Sequence, residues 1–510
     1  MSEPDRNCWP LALLLALTLV GCAVGPDYES PQVESPDKWR VDYAAAAEVT
    51  NMRWWEQFED PALNELIDIA LKENWDVRIA AARVEEFAAR VDMAFSEFLP
   101  QVEYQGGGFR RRISPDDPDI ADSINRTAVR YGGLANLNWE LDLWGRIRRS
   151  NEAARAELLS QEENRRTVIL SLVSAVAHQY VELRRFDRQL QVAIDTRKSQ
   201  AETLRLFQLK FKGGVVSEIE VAQVRSNYEK VASHVPRYQR WIALTENALS
   251  VLLGRNPGAI PRGKTIDELI LPPIPEGVPS TLLARRPDIR SAEQKLIAAN
   301  ALIGVARAQY FPTISLTGIL GFASDSLSSL FGNATSIWKI GGNALGPIFT
   351  GGRIAAQVRA SEAVQRQTLM NYMQTVQTAF KEVNNGLIGV QKRREQLEAN
   401  GRQVQALADY ARLANLRYDE GYADYLEVLD AERSLFDEQR NYVRLQSNVY
   451  KELVKTYKAM GGGWIIEAQN TADEVDFPQE KEDQQLFFDF PKFTQPMGAI
   501  GSMGYQSATQ

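Results

Sequence analysis

The segment LRYDEGYADYLEVLDAERSLF, residues 416–436, gathers the charged and aromatic side chains most suited to chemistry in this chain. Leu426, Asp430 and Arg433 follow the i, i+4, i+7 spacing that places side chains on one face of a helix, and Glu427 lies beside them. Carboxylates and a guanidinium in this pattern can attract cations, take up protons or form ion pairs. A solvated helix surface with i, i+3 charge pairs is the alternative.

A similar segment occurs earlier in the chain. Residues 209–229, LKFKGGVVSEIEVAQVRSNYE, align with it at an offset of 207. Glycine gives the backbone the freedom to reverse direction after a helix. We therefore predict helix-tip turns at Gly213 and Gly214 and again at Gly421.

The residues after each turn also correspond. Ser217 and Asp424 are suited to cap the returning helices. Glu220 is the counterpart of Glu427, and we expect Tyr418 to brace the second turn.

Composition argues against several classes of function. The 510 residues carry a net charge of −8, which disfavours a nucleic-acid partner. Only two His and two Cys are present, so we predict no metal site, no disulfide framework and no cofactor. No nucleophile–base–orienter set stands out, and we therefore predict no catalytic residues and no enzyme activity.

Very long helices must carry the two turns. Residues 146–211 contain neither Gly nor Pro, a stretch of about 100 Å at 1.5 Å per residue. Leu204, Phe207 and Phe211 follow the spacing of a coiled-coil seam. Residues 353–420 repeat the pattern without Pro. Helices of this length must pack sideways on other long helices.

The chain therefore divides into two repeats, each of which begins with a shorter helix, at about 61–98 and 286–310. The predicted domains are a signal peptide, 1–21; a lipidated N-terminal segment, 22–60; a first repeat, 61–255, with strands about 100–142 and a helical hairpin about 146–253; a linker or equatorial segment, 256–285; a second repeat, 286–464, with strands about 312–350 and a hairpin about 353–460; and a mobile C-terminal tail, 465–510.

Each repeat contributes two predicted strands, so one chain has four. Four strands cannot close a barrel, and each unpaired backbone group in hydrocarbon costs several kcal/mol. Strands that enter a membrane must therefore be shared among chains, and three chains would supply the twelve strands of an outer-membrane barrel.

The N-terminus indicates export. Residues 11–20, LALLLALTLV, are too short for a membrane-spanning helix and suit the apolar part of a signal peptide. The sequence LVGC that follows resembles the lipobox of bacterial lipoproteins, in which the cysteine, here Cys22, is lipidated. Ala23 then favours the outer membrane.

At the level of the whole chain, the sequence resembles the TolC-like outer-membrane factors, in the lipoprotein branch that serves resistance–nodulation–division (RND) efflux systems. The motifs that carry the resemblance are WELDLWGRIRR, GPIFTGGR and, above all, VPSTLLARRPDIRSAEQKLIAANALIGVARAQYFPTISLTG at residues 278–318. The resemblance covers almost all of residues 22–464.

The resemblance implies a mixed, mostly α fold and a homotrimer. Its twelve-stranded β-barrel would lie in the outer membrane, lipid-anchored through Cys22, and would continue into a long periplasmic α-helical barrel. The protein would conduct small molecules passively from a periplasmic adaptor and an inner-membrane RND transporter to the exterior, without catalysis.

The resemblance also implies an iris-like periplasmic gate at the helix tips. The family's gate positions map to Leu426, Glu427, Asp430 and Arg433, where three-fold symmetry would form rings. Rings of carboxylates favour cations, and protonation or a divalent ion would relieve their repulsion. The chain departs from some relatives at Ala423, where they carry a helix-locking Arg.

Two other functions remain open from the residues. A duct for type I protein secretion would share the architecture and differ in its partner. A periplasmic adaptor lipoprotein would bind partners without forming a pore, but it would need only one helical hairpin between β-rich halves.

Overall fold

A computed structural model describes the parts of the chain that surround both predicted turns. It covers residues 23–33, 39, 53–112, 127–272, 279–332, 335–461 and 464–473. The predicted signal peptide, Cys22 and the part of the predicted tail beyond residue 473 lie outside the described residues.

Helices dominate, and four strands interrupt them in two pairs. After a short 3₁₀ turn at Trp54–Phe58, the elements are α1 (Pro61–Glu73), α2 (Trp75–Ser96), β1 (Gln101–Arg112), β2 (Thr127–Leu141), α3 (Arg146–Lys212), α4 (Glu218–Leu252), α5 (Pro279–Arg285), α6 (Pro287–Ala308), β3 (Thr313–Ser324), β4 (Ser336–Leu345), α7 (Arg353–Asp419), α8 (Tyr425–Met460) and α9 (Trp464–Asp473). None of the helices in the described part of the chain is both long and apolar enough to cross a membrane.

The two long helices, α3 and α7, have 67 residues each. Both begin after a glycine in the left-handed region, Gly145 at φ 78° and Gly352 at φ 85°. At Gly145 a side chain would also collide with the backbone of Ala23, because an added Cβ would lie 2.7 Å from the Ala23 Cα. The turn from strand to helix therefore requires glycine there.

Each half stacks two shorter helices end to end beside a long one. In the first half α4 ends where α2 begins, and the Asn74 amide donates a hydrogen bond to the Leu252 carbonyl at 2.9 Å. In the second half α8 ends near the start of α6, and the Arg286 guanidinium donates to the Ala459 carbonyl at 2.9 Å. Both joints give a long helix a neighbour along most of its length.

The prediction of one helix over 61–98 is wrong at a single residue. Asn74 is extended, with ψ 131°, and separates α1 from α2. Its side-chain oxygen accepts from the backbone N–H groups of Asp76 and Val77 at 2.9 and 3.2 Å. A competent N-cap thus starts a second helix inside a stretch without Gly or Pro.

The strands form one antiparallel sheet in the order β1-β2-β3-β4. Consecutive strands pair in register, with Val102 opposite Leu137, Trp139 opposite Leu316, and Leu320 opposite Trp338. The outer edges of β1 and β4 have no strand partner within the described chain. The sheet is therefore part of a larger one or is left with two open edges.

The register gives the sheet one apolar and one predominantly polar face, because directly opposed residues point to the same side. The apolar face carries Val102, Tyr104, Leu137, Trp139, Leu316, Leu320, Trp338 and Ile340. The polar face carries Gln101, Glu103, Asn136, Asn138, Glu140, Ser315, Thr317 and Asn343. Several apolar residues are highly exposed in the single chain, including Ile340 at 81% and Trp338 at 74%.

A hydrophobic core lies at the level of the end-to-end joints, and it includes the C-terminal helix α9. The Trp464 ring packs edge-on against Trp55 with centroids 5.2 Å apart. Arg53 forms an ion pair with Glu467 at 3.2 Å. The prediction of a mobile tail is therefore wrong for residues 465–473, because they lie in a helix whose Ile465, Ala468 and Ala472 side chains are buried against the core.

The first described residues lie at the junction of sheet and helices. The Val24 N–H donates to the Trp144 carbonyl at 3.0 Å, and Arg149 pairs with Asp27 at 2.6 Å. The Tyr28 hydroxyl donates to Glu293 at 3.0 Å. The residue that follows Cys22 is therefore held against the start of α3.

Candidate functional site at the helix tips

The two helix tips share one backbone turn. The Val215 N–H donates to the Lys210 carbonyl at 2.9 Å, and the Tyr422 N–H donates to the Arg417 carbonyl at 2.8 Å. Both bonds span five residues, as in a Schellman motif. Gly214 and Gly421 supply the left-handed residue, with φ of 72° and 78°. Gly213 has a negative φ, −83°, and simply follows the end of α3.

The first returning helix starts with a capping box. Ser217 and Glu220 satisfy each other's backbone: the Glu220 carboxylate accepts from the Ser217 N–H at 2.7 Å and from its hydroxyl at 2.9 Å. The Glu220 N–H donates back to the Ser217 hydroxyl at 3.4 Å. Glu220, predicted as a gate residue, is thus engaged in holding its own turn.

The second returning helix starts differently, and the predicted side-chain cap at Asp424 is wrong. Asp424 makes no side-chain cap bond. Glu427, the counterpart of Glu220, instead accepts from the Arg417 guanidinium at 2.7 Å. The link therefore joins α8 to the end of α7, across the turn.

Four of the predicted gate residues line one surface groove on α8. Leu426, Glu427, Asp430 and Arg433 share it with Tyr410 of α7 and with Asp424. Leu426 is 60% exposed, and Asp430 is also exposed. Within the described residues of the single chain, Asp430 forms no ion pair.

Arg433 contacts the first half of the chain instead. Its guanidinium donates to the Asn227 side-chain oxygen at 3.1 Å, and Asn227 is only 2% exposed. The bond therefore links the second returning helix, α8, to the first, α4. The sequence offered no local signal for it, because the partners lie 206 residues apart.

An aromatic cluster holds the two tips together beside this bond. The rings of Phe207 and Tyr425 have centroids 4.3 Å apart, and Tyr418 lies 6.0 Å from Phe207 and 5.5 Å from Tyr425. The Lys210 ammonium lies 5.1 Å from the Tyr418 ring centroid. Tyr418 therefore packs against the second turn, as predicted. Neither Tyr418 nor Glu220 lines the groove.

Burial and nearby carboxylates perturb the tyrosines of the cluster. Burial raises the pKa of Tyr425, and the Glu432 carboxylate adds to the shift. Burial, followed by Glu220 and Asp419, raises the pKa of Tyr418. Both phenols therefore stay neutral and pack as apolar rings with a polar edge.

A second contact between the halves lies further from the tips. The Arg440 guanidinium reaches the Tyr238 hydroxyl at 3.2 Å and the His234 Nδ1 at 3.3 Å, and Lys230 pairs with Asp437 at 3.2 Å. Burial, together with Arg440, lowers the pKa of His234 to about 4. The imidazole is therefore neutral near pH 7.

The fold and the site together define a class of protein. A sheet with two open edges and one exposed apolar face suits a membrane barrel that several copies complete. Helices of about 100 Å that reverse at two hairpin turns suit the wall of a long tunnel. These features define the protomer of an oligomeric channel.

Comparison with known sequences identifies the family. The profile of the outer membrane efflux protein family matches residues 66–255 and 278–462, and this chain belongs to that family. The toluene efflux pump outer membrane protein TtgI of Pseudomonas putida is 35% identical over 464 residues, which cover 89% of this chain and 98% of TtgI. The cation efflux system protein CusC of Escherichia coli is 34% identical over 463 residues, covering 90% and 99%.

Solved structures show the same architecture. The CmeC outer membrane channel of Campylobacter jejuni matches with a TM-score of 0.83 at 27% identity, covering 89% of this chain and 99% of CmeC. The open state of the MtrE outer membrane channel of Neisseria gonorrhoeae matches with a TM-score of 0.78 at 30% identity, covering 87% and 98%.

The chain is therefore an outer-membrane efflux channel of a tripartite pump. Three copies close a twelve-stranded barrel in the outer membrane, and their long helices form a barrel that extends into the periplasm. The channel works with an adaptor and an inner-membrane transporter. These findings confirm the predicted fold, location and function.

Proposed function

We propose that the channel is a passive conduit whose second helix tip is its gate. Three copies of Leu426 form an apolar constriction, and three copies of Asp430 form an acidic ring beside it. The observation that carries this proposal is the groove in which Leu426, Glu427, Asp430 and Arg433 lie together, where Asp430 has no ion-pair partner among the described residues.

Contacts between the halves keep the gate closed. Opening requires α8 to move relative to α4, as long hairpins that splay at their free ends do. Such a movement stretches the Arg433–Asn227 bond and parts Tyr425 from Phe207. These contacts replace the lock that Ala423 cannot supply.

Planar-bilayer conductance of Asp430→Asn tests the acidic ring. A divalent cation bound between three carboxylates draws the tips together, so Mg²⁺ should lower the conductance of the wild-type channel and affect the variant much less. Glu395→Gln is the matched control, because Glu395 is an exposed α7 carboxylate paired with Lys392. An identical Mg²⁺ response in wild type and Asp430→Asn would contradict the proposal.

Cys22 is the proposed lipid attachment site. The chain just after it is held at the junction where β2 ends and α3 begins, and a lipid attached there would reach the inner surface of the outer membrane. Metabolic labelling with palmitate should mark the wild-type protein and not Cys22→Ser. Equal labelling of both would exclude this cysteine.

The proposed inner-membrane partner is an RND transporter, reached through a periplasmic adaptor that docks on the tips. Val215, Ile219 and Tyr422 are exposed there by 74, 71 and 76%, which suits an apolar docking surface. A photo-crosslinker at Tyr422 should capture the adaptor in cells, whereas one at Tyr104 on the apolar face of the sheet should not. Capture from Tyr104 alone would refute tip docking.

The cargo is proposed only as small toxic molecules. The named relatives serve a toluene pump and a cation system at nearly equal identity, 35% and 34%, so likeness alone does not choose between them. Within the described residues, no group of three or more His, Cys, Asp or Glu side chains could hold a metal ion. Susceptibility of a deletion strain to antibiotics, solvents, detergents and metal ions identifies the cargo.

We further propose that the protein has no catalytic activity of its own and that the transporter supplies the driving force. Of the two other functions left open by the sequence, the adaptor conflicts with the family and the barrel architecture. Protein secretion shares the architecture, but the named relatives are efflux proteins. Export of an unfolded polypeptide by the intact system would favour the secretion duct.

A further inference from the structure

Three consecutive arginines occupy the end of β1 that lies away from the helices. Arg110, Arg111 and Arg112 are all exposed. Arg110 lies opposite Val129 and Arg112 opposite Thr127 of β2. Because strand side chains alternate, Arg110 and Arg112 share the face of Val102 and Tyr104, whereas Arg111 lies on the face of Glu103.

The two faces have different surroundings in the assembled barrel. An outer-membrane barrel turns its apolar band toward lipid and its polar face toward the lumen. The face with Val102 and Tyr104 is the apolar one. Arg110 and Arg112 therefore project toward lipid, and Arg111 projects into the lumen.

The position along the strand places the pair at the outer surface of the membrane. Eight residues separate Val102 from Arg110, about 26 Å along the strand or about 20 Å along the membrane normal at a tilt of about 40°. The Tyr131 ring lies over Gly108, since an added Cβ there would lie 2.7 Å from it. Tyrosine rings mark the interface of such barrels, and Arg110 lies two residues beyond.

The charges of the pair are not neutralised by the described residues. None of the three arginines forms an ion pair with a described residue. Two guanidinium groups on one face, with Cα atoms about 7 Å apart, repel each other, and an anion bound between them would offset that repulsion. Guanidinium groups bind phosphate oxygens in a bidentate manner, which suits them to lipid headgroups.

We propose that Arg110 and Arg112 form a lipid-facing clamp for the phosphate groups of the lipid A part of lipopolysaccharide in the outer leaflet. The clamp would anchor the rim of the barrel to its surrounding lipid. It depends on the outer-membrane barrel and is independent of the gate proposed at the opposite end of the molecule.

Binding of purified trimer in detergent to lipid A and to dephosphorylated lipid A, measured by native mass spectrometry, tests the clamp. The wild-type trimer should prefer the phosphorylated lipid by about tenfold, the effect of one charge-assisted bidentate contact. Arg110→Gln/Arg112→Gln should lose the preference. Arg111→Gln is the matched control, because it removes the same kind of charge from the same strand on the luminal face, and it should keep the preference.

Two results would overturn the clamp: no preference in the wild type, or an equal loss in Arg111→Gln. Trimers that survive detergent electrophoresis show that each variant assembles. Should the double glutamine variant not assemble, Arg110→Lys/Arg112→Lys retains both charges and must still show a smaller preference than wild type. Bilayer conductance of the same samples reports separately on the channel.

Discussion

The two helix tips have the same backbone and different attachments. At the first tip, Ser217 and Glu220 satisfy each other within one turn of helix. At the second, Glu427 pairs with Arg417 across the turn, Arg433 bonds to the opposite half, and Leu426 and Asp430 remain exposed. In the first copy of the turn, the two capping residues therefore bond to each other. In the second copy, the corresponding residues bond to other helices or remain exposed.

This difference is the reason that the gate is proposed at the second of the two similar hairpins. A gate must be held closed by contacts that break when it opens. Bonds within a single turn of helix do not break when the helices move apart. The second tip has such contacts with the first half, through Arg433 and Asn227 and through Tyr425 and Phe207, and the proposed gate would close through them.

Of the substitutions at the two tips, disruption of the aromatic cluster that joins them should change conductance most. Phe207→Ala deletes a ring that is 2% exposed and should cost about 3 kcal/mol of local stability. We expect higher bilayer conductance and faster tryptic cleavage near Arg417. Phe211→Ala is the control, because Phe211 lies one turn further along and is 45% exposed. Equal effects of the two changes would show that the cluster does not hold the tips.

Loss of the Arg433 partner should have the next largest effect. Asn227→Ala leaves a half-buried guanidinium without its acceptor, at a cost of about 2 kcal/mol. Single-channel recordings should show a larger open fraction. Asn415→Ala is the control, because the Asn415 amide donates within its own helix, to the Ala411 carbonyl at 2.8 Å. A normal open fraction in Asn227→Ala would remove this bond from the closure.

Loss of the side-chain bonds at each turn, Ser217–Glu220 and Arg417–Glu427, should change conductance less and should distinguish the two tips. Ser217→Ala removes a helix cap worth about 1 kcal/mol, yet it should leave conductance unchanged because the first tip is not part of the proposed gate. Arg417→Gln breaks a partly exposed ion pair worth at most about 1 kcal/mol, yet it should raise conductance measurably. The reverse order of conductance in bilayer recordings would assign the gate to the first tip.

The smallest expected effect is a pH-dependent loss of stability at the contact between α4 and α8 around His234. The His234 pKa is about 4 in the folded protein against an ordinary 6.5. Between these values the unfolded chain binds more protons, so stability is complete above about pH 6.5 and falls as the pH drops toward 4. The loss of Tm from pH 7 to pH 5 should be smaller in His234→Gln than in the wild type. An equal loss would exclude His234 as its source.

Local sequence signals predicted the long helices, the turns and the shared face of α8. The absence of Gly and Pro over residues 146–211 and the glycines at both tips are sufficient for the first two. The i, i+4, i+7 spacing of Leu426, Asp430 and Arg433 predicts that they share one face of α8, and the structure places all three in one groove. Their role as a gate remains a prediction.

Contacts between distant segments could not be predicted in this way. The Arg433–Asn227 bond and the Phe207–Tyr425 contact depend on how two hairpins pack, and neither follows from spacing within one helix. The C-terminal helix could have been predicted from the sequence, because its apolar residues follow helical spacing. These residues, Trp464, Ile465, Ala468 and Ala472, are all buried. The polar residues beyond it obscured that signal.

Bilayer conductance of Leu426→Ser and Ile219→Ser tests most directly whether the second tip alone is the gate. These residues are counterparts at the offset of 207, and both are exposed in the single chain, by 60 and 71%. A gate at the second tip predicts a clear rise in conductance for Leu426→Ser and none for Ile219→Ser. A rise of equal size in both variants, or in Ile219→Ser alone, would contradict it.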